Sequence, residues 1–352
     1  MSYPVDVETH QTILRPPPSP NPAGWISFIL GKVQRLLQGL KLWAIHARYT
    51  FFLMGQNVYT GDEFTKADCA VQICLLIFGA LFVFPLALIV LVLSSLRVPI
   101  SLEWVLTVMR LPSKPCAKIP SKVSVPIDGS RERWFFLNGI ATTERTNQAE
   151  VDGLATMFNH EVIGLRNKSF GLMIDVWCCL IQRDSNARTP IVYDYLSIIG
   201  GAMLDPSSVR VIVFAHSQGA LIFSAVVKLI EREAILQGVK HKVEMYTIGS
   251  AARSFGTRKH CGQEVHGGFG RVEHYSNEWD WVARTGVLSN IEASVGVHYI
   301  RKKQAGHLPL IHYFPDDRFL VSSPGSKLAT YLKSVQNKRR ARKARRQKAK
   351  HA

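Results

Sequence analysis

The chain has 352 residues, a hydrophobic content of 47% and a formal net charge of +17. That hydrophobic content is typical of a folded protein and excludes a wholly disordered chain. Nine Lys or Arg residues and no acid lie between Lys338 and Lys350, which leaves +8 for the rest, so the basicity belongs mainly to a tail.

The N-terminal region changes character twice before the first long apolar stretch. Residues 1–23 are polar and proline-rich, carry no secretory signal, and are predicted to be a disordered leader. In residues 24–60, apolar side chains recur near helical spacing among Lys and Arg, which predicts a basic amphipathic helix suited to an anionic membrane surface. A helix packed on the folded domain explains the same pattern equally well.

Residues 69–96 contain no charged residue and are rich in Leu, Ile, Val and Phe. A run of about 20 apolar residues can cross a bilayer as a helix, so a transmembrane span is predicted here. Gly79 and Pro85 interrupt the run and allow a kinked or re-entrant alternative. Positive charges close to the C-terminal end favour that side as cytoplasmic. Six cysteines without a CxxC pair or a disulfide-framework spacing also indicate a reducing compartment. The organelle stays open.

Residues 97–130 contain several prolines and are predicted to link the membrane region to a folded domain at 131–332. In that domain, strand-like and helix-like runs alternate, which predicts an α/β fold with a mainly parallel central sheet. The predicted strands are 134–137, 161–166, 209–216, 243–249, 271–276 and 295–301, and the predicted helices are 190–204 and 220–235.

The segment 209–219 is the most informative part of this domain. An apolar, β-branched run ends abruptly in Ala-His-Ser-Gln-Gly, and a helix-like run follows at once. A nucleophile elbow has this order of strand, sharp turn and helix, with Ser217 at its apex. The crowded backbone of such a turn needs small residues, here Ala215 and Gly219. The alternative is a Ser and a Gly that simply end a strand.

A serine becomes a strong nucleophile only when a histidine accepts its proton and an acid orients that histidine. Asp280 follows the strand at 271–276 and is the candidate acid, although a turn or cap role would also explain it. His307 lies just beyond the last predicted strand and is the preferred base, with His312 as the alternative. His216 and His274 are interpreted as packing and structural residues.

Acyl transfer also needs donors for the developing oxyanion. The backbone amide of Gln218, the residue after the serine, is one candidate. The second donor is expected from the loop after the first predicted strand, at Gly139 or Ile140, where the alternative is a plain turn. No metal-ligand cluster is evident, and serine hydrolysis requires no cofactor, so none is predicted.

Several of these segments together resemble a group of fungal, membrane-associated α/β-hydrolases of the lipase-like serine-esterase type. The resemblance covers residues 131–320 and implies an α/β-hydrolase fold and a Ser-Asp-His triad, but no particular substrate. Three features depart from common hydrolase patterns: Ala215 replaces the usual Gly, Asn138 precedes Gly139 where His-Gly is usual, and an extended glycine-rich oxyanion loop is missing. The segments are 136–140, 163–171, 215–219, 246–250, 274–280 and 306–313.

The sequence therefore predicts a membrane-anchored serine hydrolase that cleaves a lipid or acyl ester, with its catalytic domain in the cytoplasm. The alternative is a catalytically silent hydrolase fold that serves as a membrane scaffold. Residues 333–352 are predicted to be a disordered polybasic tail that contacts anionic lipid headgroups, with nucleic acid as a less favoured partner and a solvated tail as the simplest reading. The sequence does not separate ester from thioester or amide substrates.

Overall fold

The computed structural model describes residues 7–11, 116–123, 131–140, 142–167, 189–256 and 266–351, together with residues 175, 178, 179, 182 and 183. The predicted amphipathic helix (24–60) and membrane span (69–96) lie outside the described residues. Most of the predicted leader and linker lies outside them too.

The described residues form eight strands: β1 Val7–Gln11, β2 Ala117–Pro120, β3 Glu132–Leu137, β4 Val162–Arg166, β5 Arg210–His216, β6 Val243–Ile248, β7 Arg271–Asn277 and β8 Val297–Arg301. They make one mixed sheet in the order β1-β8-β7-β6-β5-β3-β4-β2. The six from β4 to β8 in that order are mutually parallel, while β1 and β2 pair antiparallel at the two edges. The predicted mainly parallel sheet is thus confirmed.

Helices cover both faces of the sheet, because successive side chains along a strand point to opposite faces. The helices are α1 Glu144–Phe158, α2 Pro190–Leu204, α3 Gln218–Ile230, α4 Ala234–Gln237, α5 Trp281–Thr285, α6 Arg318–Val321 and α7 Lys327–His351. The described residues also form short 3₁₀ helices at Lys240–Lys242 and Val287–Ala293 and a π-helical turn at Pro309–Tyr313. Phe135 of β3 lies in the core under α2 and α3, whereas Trp134 and Phe136 lie in the core under α1 and α7.

The two edge strands differ from the sequence expectation. A disordered leader and a proline-rich linker are expected around them, yet Val7–Gln11 pairs with β8 and Ala117–Pro120 pairs with β4. The outer parallel strands of a sheet present unpaired backbone groups that such short segments can satisfy. Pro120 is tolerated because it ends an edge strand.

Two elements have boundaries that differ from the predicted ones. The helix expected over 220–235 ends at Ile230, and a separate short turn, α4, follows. The last strand begins at Val297 and not at Val295, since Gly296 adopts a φ of +111°. That φ lies outside the range of extended backbone.

The polybasic segment forms the second half of α7, whereas its charge predicts a disordered tail. Leu328, Leu332 and Val335 are buried, so the first turns of the helix are held by the folded body. Each further residue then adds a backbone hydrogen bond without a new nucleation cost. The run consists mostly of Ala, Lys, Arg and Gln, which are strong helix formers, and like-charge pairs cost only about 0.2–0.5 kcal/mol each.

Candidate active site

The candidate residues lie beyond the carboxyl ends of the parallel strands. Ser217 directly follows β5, Asp280 follows β7, His307 follows β8 and Gly139 follows β3. Because these four strands are parallel, their carboxyl ends lie on the same side, where α/β proteins bind ligands. The strand order therefore brings together segments that are far apart in sequence.

Ser217 occupies a strained turn between β5 and α3. It is 2% exposed and has φ +54° and ψ −118°, values that a non-glycine residue rarely adopts. Its backbone N–H donates to Ile248 O at 3.1 Å, and its carbonyl accepts from Ala251 N at 3.2 Å. These bonds to the end of β6 and the residues after it hold the turn in the strained conformation that is expected of a nucleophile elbow.

Glycine is required two residues after Ser217. A Cβ atom on Gly219 would lie 2.4 Å from the carbonyl oxygen of Leu137 and 2.6 Å from that of Asn138. Both are backbone atoms, so a larger residue would displace the loop after β3. Ala215 is fully buried in β5 between Leu137 and Thr247, which is consistent with the expected need for a small residue there.

The loop after β3 lies against the serine. A Cβ atom on Gly139 would be 2.9 Å from Ser217 Cβ, so only a glycine lets the loop approach this closely. Ile140 follows in the same loop, and its carbonyl accepts a bond from Thr142 Oγ1 at 3.2 Å. Gln218 is the first residue of α3, and its amide therefore has no acceptor within the helix. The structure thus places Gly139 and Gln218 beside Ser217, and Ile140 is the next residue of the loop after Gly139.

A chain of side-chain amides adjoins this loop and is not among the site residues expected from the sequence. The buried Asn138 donates through Nδ2 to Gly139 O at 2.8 Å and accepts at Oδ1 from Asn167 N at 2.7 Å. Asn167 Nδ2 donates to Gln218 Oε1 at 2.9 Å, and Gln218 Nε2 donates to Gln182 Oε1 at 3.2 Å. These bonds link the loop after β3 to the start of α3. The position of Asn167 directly after β4 is a weak sequence signal.

Asp280 and His307 form a buried pair. Asp280 is 2% exposed and caps α5, with Oδ1 accepting from Val282 N at 2.9 Å. His307 Nδ1 donates to Asp280 Oδ2 at 2.7 Å. A carboxylate oxygen accepts in this bond, so a proton lies on Nδ1, and in the neutral imidazole with that tautomer Nε2 carries the lone pair. That Nε2 is buried and has no hydrogen-bond partner in the described part of the chain.

Gly249 joins this pair to the serine turn. It directly follows Ile248, which binds Ser217 N, and has φ +54°. A Cβ atom there would lie 2.8 Å from Asp280 Oδ2 and 3.0 Å from His307 Nδ1. The end of β6 therefore contacts both the serine turn and the acid–histidine pair.

His216 supports His307 from the side of the serine. The two rings have centroids 4.6 Å apart, and His216 Nε2 donates to the backbone oxygen of His307 at 2.9 Å. Burial, and then the nearby His307, lower the pKa of His216 well below its usual value, so the ring is neutral. This geometry agrees with the interpretation of His216 as a packing residue.

His312 lies beside the pair but is engaged elsewhere. Its Nδ1 accepts from Leu308 N at 3.0 Å, and its ring covers Gly306. Burial, and then the nearby His307, lower the pKa of His312 to about 4. Of the two candidate bases, the one that the structure places against Asp280 is His307.

Tyr313, the residue after His312, was not singled out from the sequence. It is fully buried, and its hydroxyl donates to Asp280 Oδ2 at 2.6 Å. Position in the chain gives the only signal, because a tyrosine six residues beyond a candidate base can turn back toward it.

His274 has a structural environment. It lies inside β7 and is fully buried, with Nδ1 against Thr247 Oγ1 at 2.7 Å and Nε2 donating to Val295 O at 2.9 Å. Burial lowers its pKa to about 4, which keeps the ring neutral near pH 7. These contacts agree with the sequence interpretation.

The helices that the structure describes include none long and apolar enough to cross a bilayer. The predicted span at 69–96 is not among them, so it stays a prediction.

Comparisons with known proteins add little. No family model and no curated protein matches the chain. A solved esterase/lipase from an uncultured bacterium aligns with 68% of this chain and 91% of its own, at 10% identity and a TM-score of 0.34. The esterase LipW from Mycobacterium marinum aligns with 62% of this chain and 78% of its own, at 11% identity and a TM-score of 0.32. At these TM-scores, neither similarity carries weight for fold or function.

Proposed function

We propose that this protein is a serine hydrolase of the α/β-hydrolase type that cleaves carboxylic esters. The observation that carries the proposal is the set of contacts that His307 makes. Its Nδ1 is bound to a buried carboxylate, its ring lies against that of His216, the residue before Ser217, and its Nε2 is buried without a partner among the described residues. A general base for Ser217 needs an acid that orients it and a ring nitrogen that is left to take the serine proton.

The proposed reaction proceeds through an acyl-enzyme. Ser217 Oγ bonds to the ester carbonyl carbon while His307 Nε2 takes the hydroxyl proton. The carbonyl oxygen becomes negative and accepts bonds from the Gln218 amide and from the amide of Gly139 or Ile140. Collapse breaks the bond to the alcohol, which leaves with the proton from His307. Water then repeats the sequence and releases the acid. Asp280 orients His307 and stabilises its cationic form throughout.

Labelling with a fluorophosphonate probe tests this mechanism, because the probe reacts covalently with an activated serine. Wild type should label, whereas Ser217→Ala should not. Ser224→Ala is the matched control, since Ser224 is a buried serine in α3 whose hydroxyl bonds only locally to Leu221 O. Equal labelling of wild type and Ser217→Ala would refute the proposal and favour the alternative of a silent hydrolase fold used as a scaffold.

The substrate is proposed to be a lipid or acyl ester presented at a membrane. Support comes from the uncharged stretch at 69–96, which would anchor the chain and leave the catalytic domain in the cytoplasm. Anchoring keeps the enzyme at a high effective concentration of membrane substrates. Leu81→Arg together with Leu86→Arg should release full-length protein from membranes during an alkaline carbonate wash, while wild type stays in the pellet. Release of wild type would contradict anchoring.

The basic end of α7 is proposed to contact anionic lipid headgroups. The described residues beyond Gln336 are exposed, and cations face every side of the helix. Ala is the most apolar residue of this stretch, which argues for adsorption by charge and against insertion of an apolar face. A chain ending at Gln336 should lose binding to phosphatidylserine vesicles and keep its ester hydrolysis. Equal vesicle binding by both chains, or tighter binding of wild type to duplex DNA than to vesicles, would contradict this.

A further inference from the structure

One carboxylate oxygen of the site receives two short hydrogen bonds. Asp280 Oδ2 accepts from His307 Nδ1 at 2.7 Å and from the Tyr313 hydroxyl at 2.6 Å. Asp280 and Tyr313 are both buried, so water does not compete for these bonds. A tyrosine is therefore as close to the carboxylate as the histidine that the proposed reaction uses.

The direction of the tyrosine proton follows from a third bond. The Tyr313 hydroxyl oxygen also lies 3.1 Å from Asn277 N. A backbone amide can only donate, so the oxygen accepts there and its own proton is directed to Asp280. Burial, and then the charge of Asp280, raise the pKa of Tyr313 well above its usual value, which keeps the phenol protonated.

Tyr313 is itself held by the end of the sheet. It closes the π-helical turn Pro309–Tyr313, whose carbonyl at His312 accepts from Asn277 Nδ2 at 3.4 Å and from the Arg301 guanidinium. Arg301 Nε donates in turn to Asn277 Oδ1 at 3.1 Å. The hydroxyl thus belongs to a fixed framework.

We propose that Tyr313 is a positioning residue for the Asp280–His307 pair. The α5 amide of Val282 binds Oδ1 and the Tyr313 hydroxyl binds Oδ2, so donors on both oxygens set the plane of the carboxylate. Without Tyr313, Oδ2 would be held by His307 alone, whose ring takes part in the proton transfer. This inference rests on the proposed function and assigns to it a residue beyond Ser217, His307 and Asp280.

The first test separates positioning from packing. Tyr313→Phe keeps the ring and removes the hydroxyl, and should lower kcat for p-nitrophenyl butyrate by about 10- to 100-fold, the range for losing a bond to a charged group, with KM little changed. Tyr246→Phe is the matched control. Tyr246 is equally buried, and its hydroxyl donates at 2.8 Å to Glu244, which lies near the amino end of β6 and away from the candidate site. It should leave kcat unchanged. In an Asp280→Asn background, Tyr313→Phe should have no further effect, and an additive loss would overturn the inference.

The second test does not depend on catalysis. The Nδ1 proton of His307 should give a low-field NMR resonance in wild type, assigned by its loss in His307→Gln. Tyr313→Phe removes the competing donor on Oδ2, so that resonance should move further downfield, and Tyr246→Phe should not move it. A shifted resonance in a protein that fluorophosphonate does not label would reject the hydrolase and keep the positioning role. An unmoved resonance in Tyr313→Phe would overturn the inference whatever the activity.

Discussion

Buried carboxylates lie near both ends of the parallel strands, and the two sets have different partners. Toward the start of β7, the fully buried Glu273 bonds to Arg271 at 2.7 Å, to the Tyr275 hydroxyl at 2.6 Å and to Lys327 N at 2.7 Å. Beyond the end of the same strand, Asp280 bonds to His307, Tyr313 and the Val282 amide. Both carboxylates thus have short hydrogen bonds and a tyrosine donor.

The difference lies in what the partners can still do. Arg271 donates onward to Gly325 O, and Lys327 N belongs to the first turn of α7, so the partners of Glu273 end in structural bonds. His307 instead has a second ring nitrogen with no partner in the described part of the chain. A buried carboxylate therefore indicates chemistry only when the group it orients retains a reactive atom. The largest consequences follow from removing each carboxylate in turn.

Asp280→Asn is expected to have the largest effect on activity. An amide at this position can donate a hydrogen bond, which favours the tautomer of His307 that lacks a free Nε2. By analogy with other triads, kcat should fall about 10⁴-fold while the fold persists. Hydrolysis of p-nitrophenyl butyrate gives the rate, and thermal unfolding gives the stability. A variant with near-normal kcat would remove Asp280 from the mechanism.

Glu273→Gln is expected to show the opposite pattern. The substitution removes the charge that faces Arg271 and the N-terminus of α7, where the helix dipole is positive. The free energy of unfolding should therefore fall by about 2 kcal/mol. Since Glu273 does not contact the candidate site, kcat per folded molecule should stay within about twofold. Urea unfolding and active-site titration measure the two quantities. A loss of kcat without a loss of stability would erase the contrast between the two carboxylates.

The sequence could predict the parts of this arrangement that are local. The run that ends at Ser217 predicts a strand, a turn and a helix, because each is encoded by adjacent residues, and the order of Asp280 and His307 follows from the elbow. Tyr313, Asn167 and Gln182 could not be found in this way, since their partners lie between 29 and 51 residues away or belong to another strand end. Only the strand order brings them together.

The tail and the edge strands are regions where a prediction from the local sequence differs from the structure. Charge density over 338–350 predicts disorder when the segment is considered alone, but Leu328 and Leu332 anchor the preceding turns and the helix extends from them. The pairing of Val7–Gln11 likewise depends on the exposed edge of β8, which the five residues themselves do not encode. In both regions, tertiary context outweighs the local pattern.

The smallest expected effect is on the pH dependence of stability. It distinguishes a histidine in the core, His274, from the histidines near Ser217. Inside β7, burial lowers the pKa of His274 from an ordinary 6.5 to about 4, so the folded protein binds this proton less readily than the unfolded chain. The resulting stability is fully present above pH 6.5 and is lost as the pH falls toward 4. Between pH 7.5 and 5.5 the loss from His274 should be about 1 kcal/mol.

Urea unfolding of wild type and His274→Gln at both pH values measures this contribution. The glutamine variant should be less stable at pH 7.5, because the bonds to Thr247 and Val295 change, but its stability should fall less steeply with acid. His216 and His312 also have lowered pKa values and remain in both proteins, so their contribution cancels in the comparison. Identical pH dependence in the two proteins would show that His274 does not cause the acid sensitivity.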